Sequence, residues 1–192
     1  MKVIGFTGNY GTARADGLQC YLMADSSILY TGRPFFVPDF AERFVASPSI
    51  VVRTGRLGKC VAPKFAYRYW DALTAGFNVL AQGDEEPVAA ALDRAFDGAA
   101  ILGEWVSVTT LDDALTTPVE IRVDDTVVSR HCLADLAFPL DDELALLSRR
   151  CSIKMGDVIF TGDTAAGIPL SPGMHLTATV GGIPVLDVKV RL

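Results

Sequence analysis

The chain is short of charge and of the side chains that most often carry chemistry. Only 21% of its 192 residues are charged, and its histidines number two, His131 and His175. Acids outnumber bases 23 to 17, for a net charge of −6. No basic run with interleaved aromatics is present, which excludes nucleic acid as a partner, because phosphate neutralisation needs clustered Lys and Arg. No apolar stretch reaches the roughly eighteen residues of a membrane span. The opening Met1-Lys2-Val3-Ile4-Gly5-Phe6 meets Gly, Asn and Tyr too early for a signal peptide, so a cytoplasmic location is expected. Cys20, Cys60, Cys132 and Cys151 contain no C-x-x-C pair, which argues against a zinc or redox motif; they are expected as buried thiols. There is no Gly-x-Ser-x-Gly elbow for a serine triad, and Gly5, Gly8 and Gly11 are turn glycines rather than a dinucleotide fingerprint.

Apolar residues, by contrast, make up 50% of the chain. A length of 192 residues suits a single domain over 1–192, and the apolar surplus calls for a covering interface, so a homodimer or larger is expected. The first half reads as strands at Val3 to Thr7, Gln19 to Met23, Ile28 to Tyr30, Phe35 to Val37 and Ile50 to Thr54. Phe65, Tyr69 and Leu73, spaced four apart, predict a helix over Ala62 to Leu73, with Tyr67, Tyr69 and Trp70 as packing aromatics. A short strand follows at Phe77 to Ala81, then a helix from Glu85 to Phe96. That helix has Asp84 as cap, Pro87 near its start and Gly98 after its end; Asp84-Glu85-Glu86 needs no role beyond an acidic helix start. Val119 to Val123 and Val127 to His131 flank a turn at Asp124-Asp125-Thr126. Asp141 is expected to cap a third helix through Arg150. Met155-Gly156-Asp157 turns into a strand at Val158 to Thr161, and Leu176 to Leu192 closes as a hairpin. The fold class is mixed α+β, mainly β, with three short peripheral helices.

Several stretches together resemble the fumarylacetoacetate hydrolase family: Arg33-Pro-Phe-Phe-Val-Pro-Asp39, Ile50-Val-Val-Arg53, Phe65-Ala-Tyr-Arg68, Arg94-Ala-Phe-Asp-Gly98 and Gly156 to Gly162. The resemblance implies a mixed β-roll, usually dimeric, acting on small keto acids with Mg²⁺ or Mn²⁺ held by carboxylates. A Glu-x-Glu pair supplies two of those carboxylates, and here it reads Ser47-Pro48-Ser49. Residues two apart on a strand share a face, so one cation can take both. The third, an Asp, falls at Asn78. No metal is therefore expected at Ser47, Ser49 and Asn78, since neutral oxygens alone hold Mg²⁺ poorly. A substrate-contacting lysine matches Arg94, which keeps the charge but cannot act as a base. A His and a Glu, often found after the family's Asn-Tyr segment, have no match in Gly11 to Asp16 after Asn9-Tyr10.

Thr161-Gly162 matches a carboxylate-binding pair, followed by Asp163-Thr164 where Thr-Pro is usual. The expected substrate-binding residues are thus Arg94, Thr161 and Gly162. The leading expectation is a non-enzymatic or impaired member that binds a small carboxylate or a partner. The alternatives are an active hydrolase, decarboxylase or isomerase of a small keto or hydroxy-dienoic acid, dependent on Mg²⁺ or Mn²⁺ or using Arg94, Thr161 and Asp163, and a structural subunit that pairs with an intact paralogue.

Overall fold

The computed structural model describes residues 1–11, 18–83, 86 and 89–192. Its strands are β1 (Val3–Thr7), β2 (Gln19–Met23), β3 (Ile28–Tyr30), β4 (Phe35–Phe36), β5 (Arg43–Thr54), β6 (Trp70–Gln82) and β7 (Ala100–Leu102). They continue as β8 (Val106–Ser107), β9 (Val119–Val123), β10 (Thr126–His131), β11 (Val158–Asp163), β12 (Ile168–Pro169), β13 (His175–Val180) and β14 (Ile183–Arg191). The helices are α1 (Ala89–Leu92) and α2 (Leu140–Arg150), with a 3-10 segment at Pro63–Arg68 as the longest of the tighter turns. None of these helices is long and apolar enough to cross a membrane among the described residues.

Nine strands form the larger sheet, in the order β2-β1-β11-β5-β6-β7-β3, with β12 on β5 and β8 on β6. The smaller sheet runs β10-β9-β13-β14-β4. Alternation along each strand sorts side chains between two faces. Ile4, Phe6, Ile50, Val52, Leu73, Phe77 and Ile159 face the smaller sheet and pack with Ile121, Leu176, Ala178, Leu186 and Val188. Helix α2 closes this core with Leu140, Leu144 and Leu147. The opposite face of the larger sheet carries a smaller cluster of Val3, Met23, Val51, Leu102, Val158 and Phe160. By the same alternation, Ser47 and Ser49 share that second face with Val51.

The mainly β class and the three helical segments hold, but several boundaries move. Residues 70 to 73 belong to β6 rather than to a helix, which is confined to the 3-10 turn at Pro63–Arg68. The reason is tertiary: Leu73 pairs with Val52 on one side and Val106 on the other, so the backbone bonds of this stretch go to a ladder. Trp70 is buried, whereas Tyr67 is exposed and contributes little packing within the chain. The strands expected at Ile50 to Thr54 and Phe77 to Ala81 are parts of 12- and 13-residue strands that form one long hairpin. Helix α1 covers only Ala89–Leu92; the expected cap Asp84, with Glu85 and Pro87, lies outside the described residues. Gly98 does follow, with φ +89°. Pro139, not Asp141, occupies the N-cap of α2; Asp141, Asp142 and Glu143 fill its first turn, and Arg149 and Arg150 its last. The cysteines are unpaired, but Cys20 and Cys60 are exposed and Cys132 and Cys151 half-buried, so the expectation of buried thiols fails. They lie at strand, loop and helix ends rather than in the core clusters.

Two residues fix how the strands of the larger sheet meet. Asp157, fully buried, accepts from the backbone N–H of Lys2 at 2.8 Å and of Lys154 at 2.7 Å, and pairs with the Lys2 ammonium. Gly76, in mid-β6 opposite Ser49, lets β7 approach: a Cβ there would lie 2.5 Å from the Ile101 carbonyl oxygen. Gly76→Ala should therefore cost about 2–3 kcal/mol through overpacking, read as a lower urea midpoint at unchanged slope.

Candidate functional site

The site is built around a proline in a central strand. Pro48 sits in β5 between β6 and β11, so Ser47 and Ser49 flank a proline in a central strand. Proline cannot donate to a ladder and is tolerated at bulges. The bulge is on β11: Phe160 pairs with Val51, but Asp163 pairs with Ser49, which leaves one extra residue on β11. Gly162 within it adopts φ +143°, and a Cβ there would meet Asn9 Cβ at 2.7 Å. Thr164 then donates its N–H (2.9 Å) and its hydroxyl (3.1 Å) to the Pro48 carbonyl.

The extra residue reverses the alternation, so Asp163 falls on the Phe160 face, with Ser47 and Ser49. Ser47 pairs with Asn78 across the hairpin. Asn78 Nδ2 donates to Asp163 Oδ1 at 2.9 Å and to the Ser47 carbonyl at 3.3 Å. Both acceptors lack hydrogens, which sets the amide's orientation. Ser49 is fully buried, and its hydroxyl donates to the Ile50 carbonyl at 3.1 Å. The structure thus brings Ser47, Ser49 and Asn78 together and adds Asp163.

Arg94 follows α1, next to Asp93, whose carbonyl accepts from Ala81 N–H at 2.9 Å at the far end of β6. Its guanidinium carbon lies 4.6 Å from the centroid of the Tyr21 ring. Tyr21 had no signal in the sequence. Its ring rests where a side chain on Gly5 would stand, since a Cβ there would be 2.1 Å from Tyr21 Cζ. The missing side chain at Gly5 was the available clue, legible only once the pairing of β1 with β2 is known. Burial, and then the Asp163 carboxylate, raise the Tyr21 hydroxyl's pKa above its ordinary 10.0; Arg94 acts the other way. The phenol stays protonated.

Thr161 is buried on the other side of β11. Its hydroxyl donates to the Ile50 carbonyl at 2.9 Å and accepts from Tyr10 Oη at 3.0 Å, so its single hydrogen is committed within the protein. Tyr10, whose pKa is raised chiefly by burial, also packs against His131, with ring centroids 5.4 Å apart. His131 meets Asp135 at 3.3 Å, and His175 meets Asp187 at 2.9 Å; both are paired and half-exposed. Residues 12–17, most of the stretch in which the family's His and Glu have no match, lie outside the described residues.

Asn9 ties this shell together. Its Nδ2 lies 2.6 Å from Glu143 Oε1, 2.9 Å from the Phe138 carbonyl and 3.1 Å from the Thr161 carbonyl. Its Oδ1 accepts from Phe138 N–H at 2.7 Å. Glu143 is fully buried and its Oε2 has no partner. Burial lifts its carboxyl well above the ordinary 4.5, partly offset by Asn9.

For a hard divalent cation the donors fit poorly. The positions 47, 49 and 78 supply two hydroxyls and an amide, and among the described residues no trio of His, Cys, Asp or Glu side chains is placed to hold a metal ion. Asp163 is the one carboxylate among these four.

Residues 11–191 match the family described as fumarylacetoacetate (FAA) hydrolase C-terminal. Fumarylpyruvate hydrolase from Pseudomonas aeruginosa, solved with Mn²⁺ and pyruvate, superposes with a TM-score of 0.85 at 17% identity, covering 100% of this chain and 90% of that one. Maleylpyruvate hydrolase from Sphingobium sp. SYK-6 gives 0.85 at 18% identity over 99% and 70%. The 5-carboxymethyl-2-hydroxymuconate delta-isomerase from Mycobacterium smegmatis gives 0.83 at 23% identity over 99% and 78%. No curated protein matches the sequence.

The buried Glu143 carboxyl sets a pH dependence. Folding raises its pKa, so its contribution to stability is full below the unfolded value near 4.5 and is lost as pH rises through the folded value. Glu143→Gln should flatten this loss and be the more stable form at pH 8, because its neutral amide carries no charge to desolvate. Urea midpoints of both proteins from pH 5 to 8 check it; parallel profiles would refute it.

Proposed function

Since the chain belongs to the fumarylacetoacetate hydrolase family, we propose that it binds a small carboxylate without the divalent-metal chemistry of its structural neighbours. The observation that carries this reading is the Asn78 amide, which directs an N–H at Asp163 from one of the three positions where the family resemblance expects a metal-binding carboxylate. A donor so directed opposes a cation and is turned to the one carboxylate of the floor, Asp163. Arg94 then provides the positive charge, and its guanidinium suits a carboxylate. Thr161 and Gly162 serve as a shaping bulge: the Thr161 hydroxyl is already committed, so a ligand's carboxylate rests on Arg94 instead. Pyruvate, present with Mn²⁺ in the Pseudomonas neighbour, is the natural first ligand to try. A cytoplasmic homodimer is the location and assembly we propose, the dimer on the strength of the 50% apolar composition.

One observation favours a second reading. Asp163 stands on the same face as Ser47 and Ser49, and a Mg²⁺ or Mn²⁺ site needs as few as one or two carboxylates when substrate and water complete the shell. On that reading the protein is an active hydrolase, decarboxylase or isomerase of a small keto or hydroxy-dienoic acid.

Calorimetric titration separates the two. Mg²⁺ and Mn²⁺ are expected to give no saturable heat, while pyruvate or oxalate raises the melting temperature without metal. Arg94→Met should weaken that binding about tenfold to a hundredfold, as for loss of charge-assisted hydrogen bonds. Stoichiometric metal binding tighter than a millimolar that Asp163→Asn abolishes would transfer the case to the enzyme.

A further inference from the structure

The bases of this acidic chain are gathered at one pole, the Thr54 end of β5, away from Ser47 and Ser49. Residues 53–68 carry Arg53, Arg56, Lys59, Lys64 and Arg68 and no acid; the bases stand three to five apart, so they form no run in the sequence. Residues 149–156 add Arg149, Arg150 and Lys154, again with no acid. Folding zips the two stretches together. Gly58 N–H donates to the Ile153 carbonyl at 3.0 Å and Ile153 N–H to the Gly58 carbonyl at 2.9 Å. Cys60 N–H donates to the Ser148 carbonyl at 3.0 Å, and the 3-10 turn at Pro63–Arg68 packs on α2.

Few acids answer this charge. Asp71 pairs with Arg53 at 2.9 Å, and the buried Asp157 pairs with Lys2. The acids of α2 lie in its first turn, at the other end of the helix from Arg149 and Arg150. Lys59 has a structural task, donating to the carbonyls of Arg149 and Arg150 at 3.3 Å each. Arg56, Lys64, Arg149, Arg150 and Lys154 are exposed, and none makes an ion pair among the described residues. Large apolar side chains stand among them. Leu57 is 68% exposed and Met155 77%, both beside the Gly58–Ile153 bridge, and Phe65 and Tyr67 are exposed on the 3-10 turn.

We propose that this pole docks the protein on an anionic lipid surface, with the bases among the headgroups and Leu57, Met155 and Phe65 reaching the acyl boundary. The proposal is independent of the small-carboxylate reading. Bases attract such a surface and apolar side chains then insert, so a bilayer engages both kinds of residue at once. Only charges within about 10 Å of the surface are felt at 0.1 M salt, so the acids elsewhere in the chain are screened. A second copy is the poorer occupant, because in a two-fold contact each pole meets its own charge. Nucleic acid is poorer too. The Phe65 ring already has Lys64 at 5.0 Å and Arg68 at 5.2 Å from its centroid, and Arg68 Nε donates to Tyr67 Oη at 2.9 Å, so a stacking base would have to displace them. Leu57 and Met155 have no counterpart on a phosphate backbone.

Co-sedimentation of the full chain with phosphatidylcholine vesicles, with and without phosphatidylglycerol, tests the proposal. Anionic vesicles are expected to bind at least about tenfold more tightly than neutral ones, and added salt to weaken the binding. The triple variant Arg56→Gln, Arg149→Gln, Lys154→Gln should lose about a hundredfold, at about fivefold for each base near the surface. Leu57→Ser with Met155→Ser should weaken binding about tenfold through lost apolar burial, with the effect persisting at high salt. Absence of binding, equal binding to neutral vesicles, or full binding by the triple variant overturns the proposal. A single-stranded oligonucleotide that binds more tightly than the anionic vesicles also overturns it, in favour of nucleic acid. The comparison of vesicles on the unaltered chain decides even if a variant fails to fold.

Discussion

The extra residue that β11 inserts opposite Pro48 is the constraint on which the site depends. A proline in a central strand leaves the ladder one donor short, and the bulge is how the sheet accommodates it. Its cost is a glycine at φ +143° packed against Asn9. Its consequence is chemical: the alternation of β11 reverses between Phe160 and Asp163, so an acid that would face the core faces Ser49 and Asn78 instead. Strand geometry thereby determines which charges meet.

Behind the bulge lies a buried polar shell with little freedom to adjust. Asn9 faces three acceptors with two amide hydrogens, and joins β11, the Phe138 turn and the first turn of α2. Glu143 sits in that shell as a fully buried carboxyl, costly as an ion and tolerable as a neutral acid. Tyr10 and Thr161 complete the connection to the Ile50 carbonyl, one residue from Ser49. Groups that a sequence reading assigns to a ligand can thus be occupied by the protein's own carbonyls. Thr161 is the example, because its hydroxyl has one hydrogen and Ile50 takes it.

The remaining polar groups on the site face divide by role rather than by number. Arg94 stands over the Tyr21 ring, and Asp163 accepts from the Asn78 amide. Tyr21 can take its place only because Gly5 has no side chain, and Arg94 only because the chain after α1 bonds to the end of β6 through Asp93. The charge balance of the site rests on these two packing facts.

Much of the frame was legible in the chain. The strands at Val3–Thr7, Gln19–Met23 and Ile28–Tyr30, and the hairpin about Asp124, follow from alternation and turn chemistry, which act over a few residues. The family, and the neutral residues at 47, 49 and 78, also follow from sequence, because identity and spacing are local properties. The stretch from Trp70 to Leu73 misled: aromatic residues four apart suit a helix, yet the partners that make it a strand lie about twenty residues back and thirty ahead. The role of Tyr21, the commitment of Thr161 and the turning of Asp163 towards Asn78 were hidden for the same reason. Composition, charge, local periodicity and the neutral identity of residues 47, 49 and 78 were determined by sequence alone. Which donors are already satisfied, and which face a bulged residue presents, were decided only by tertiary structure, because both depend on backbone groups brought together from distant parts of the chain.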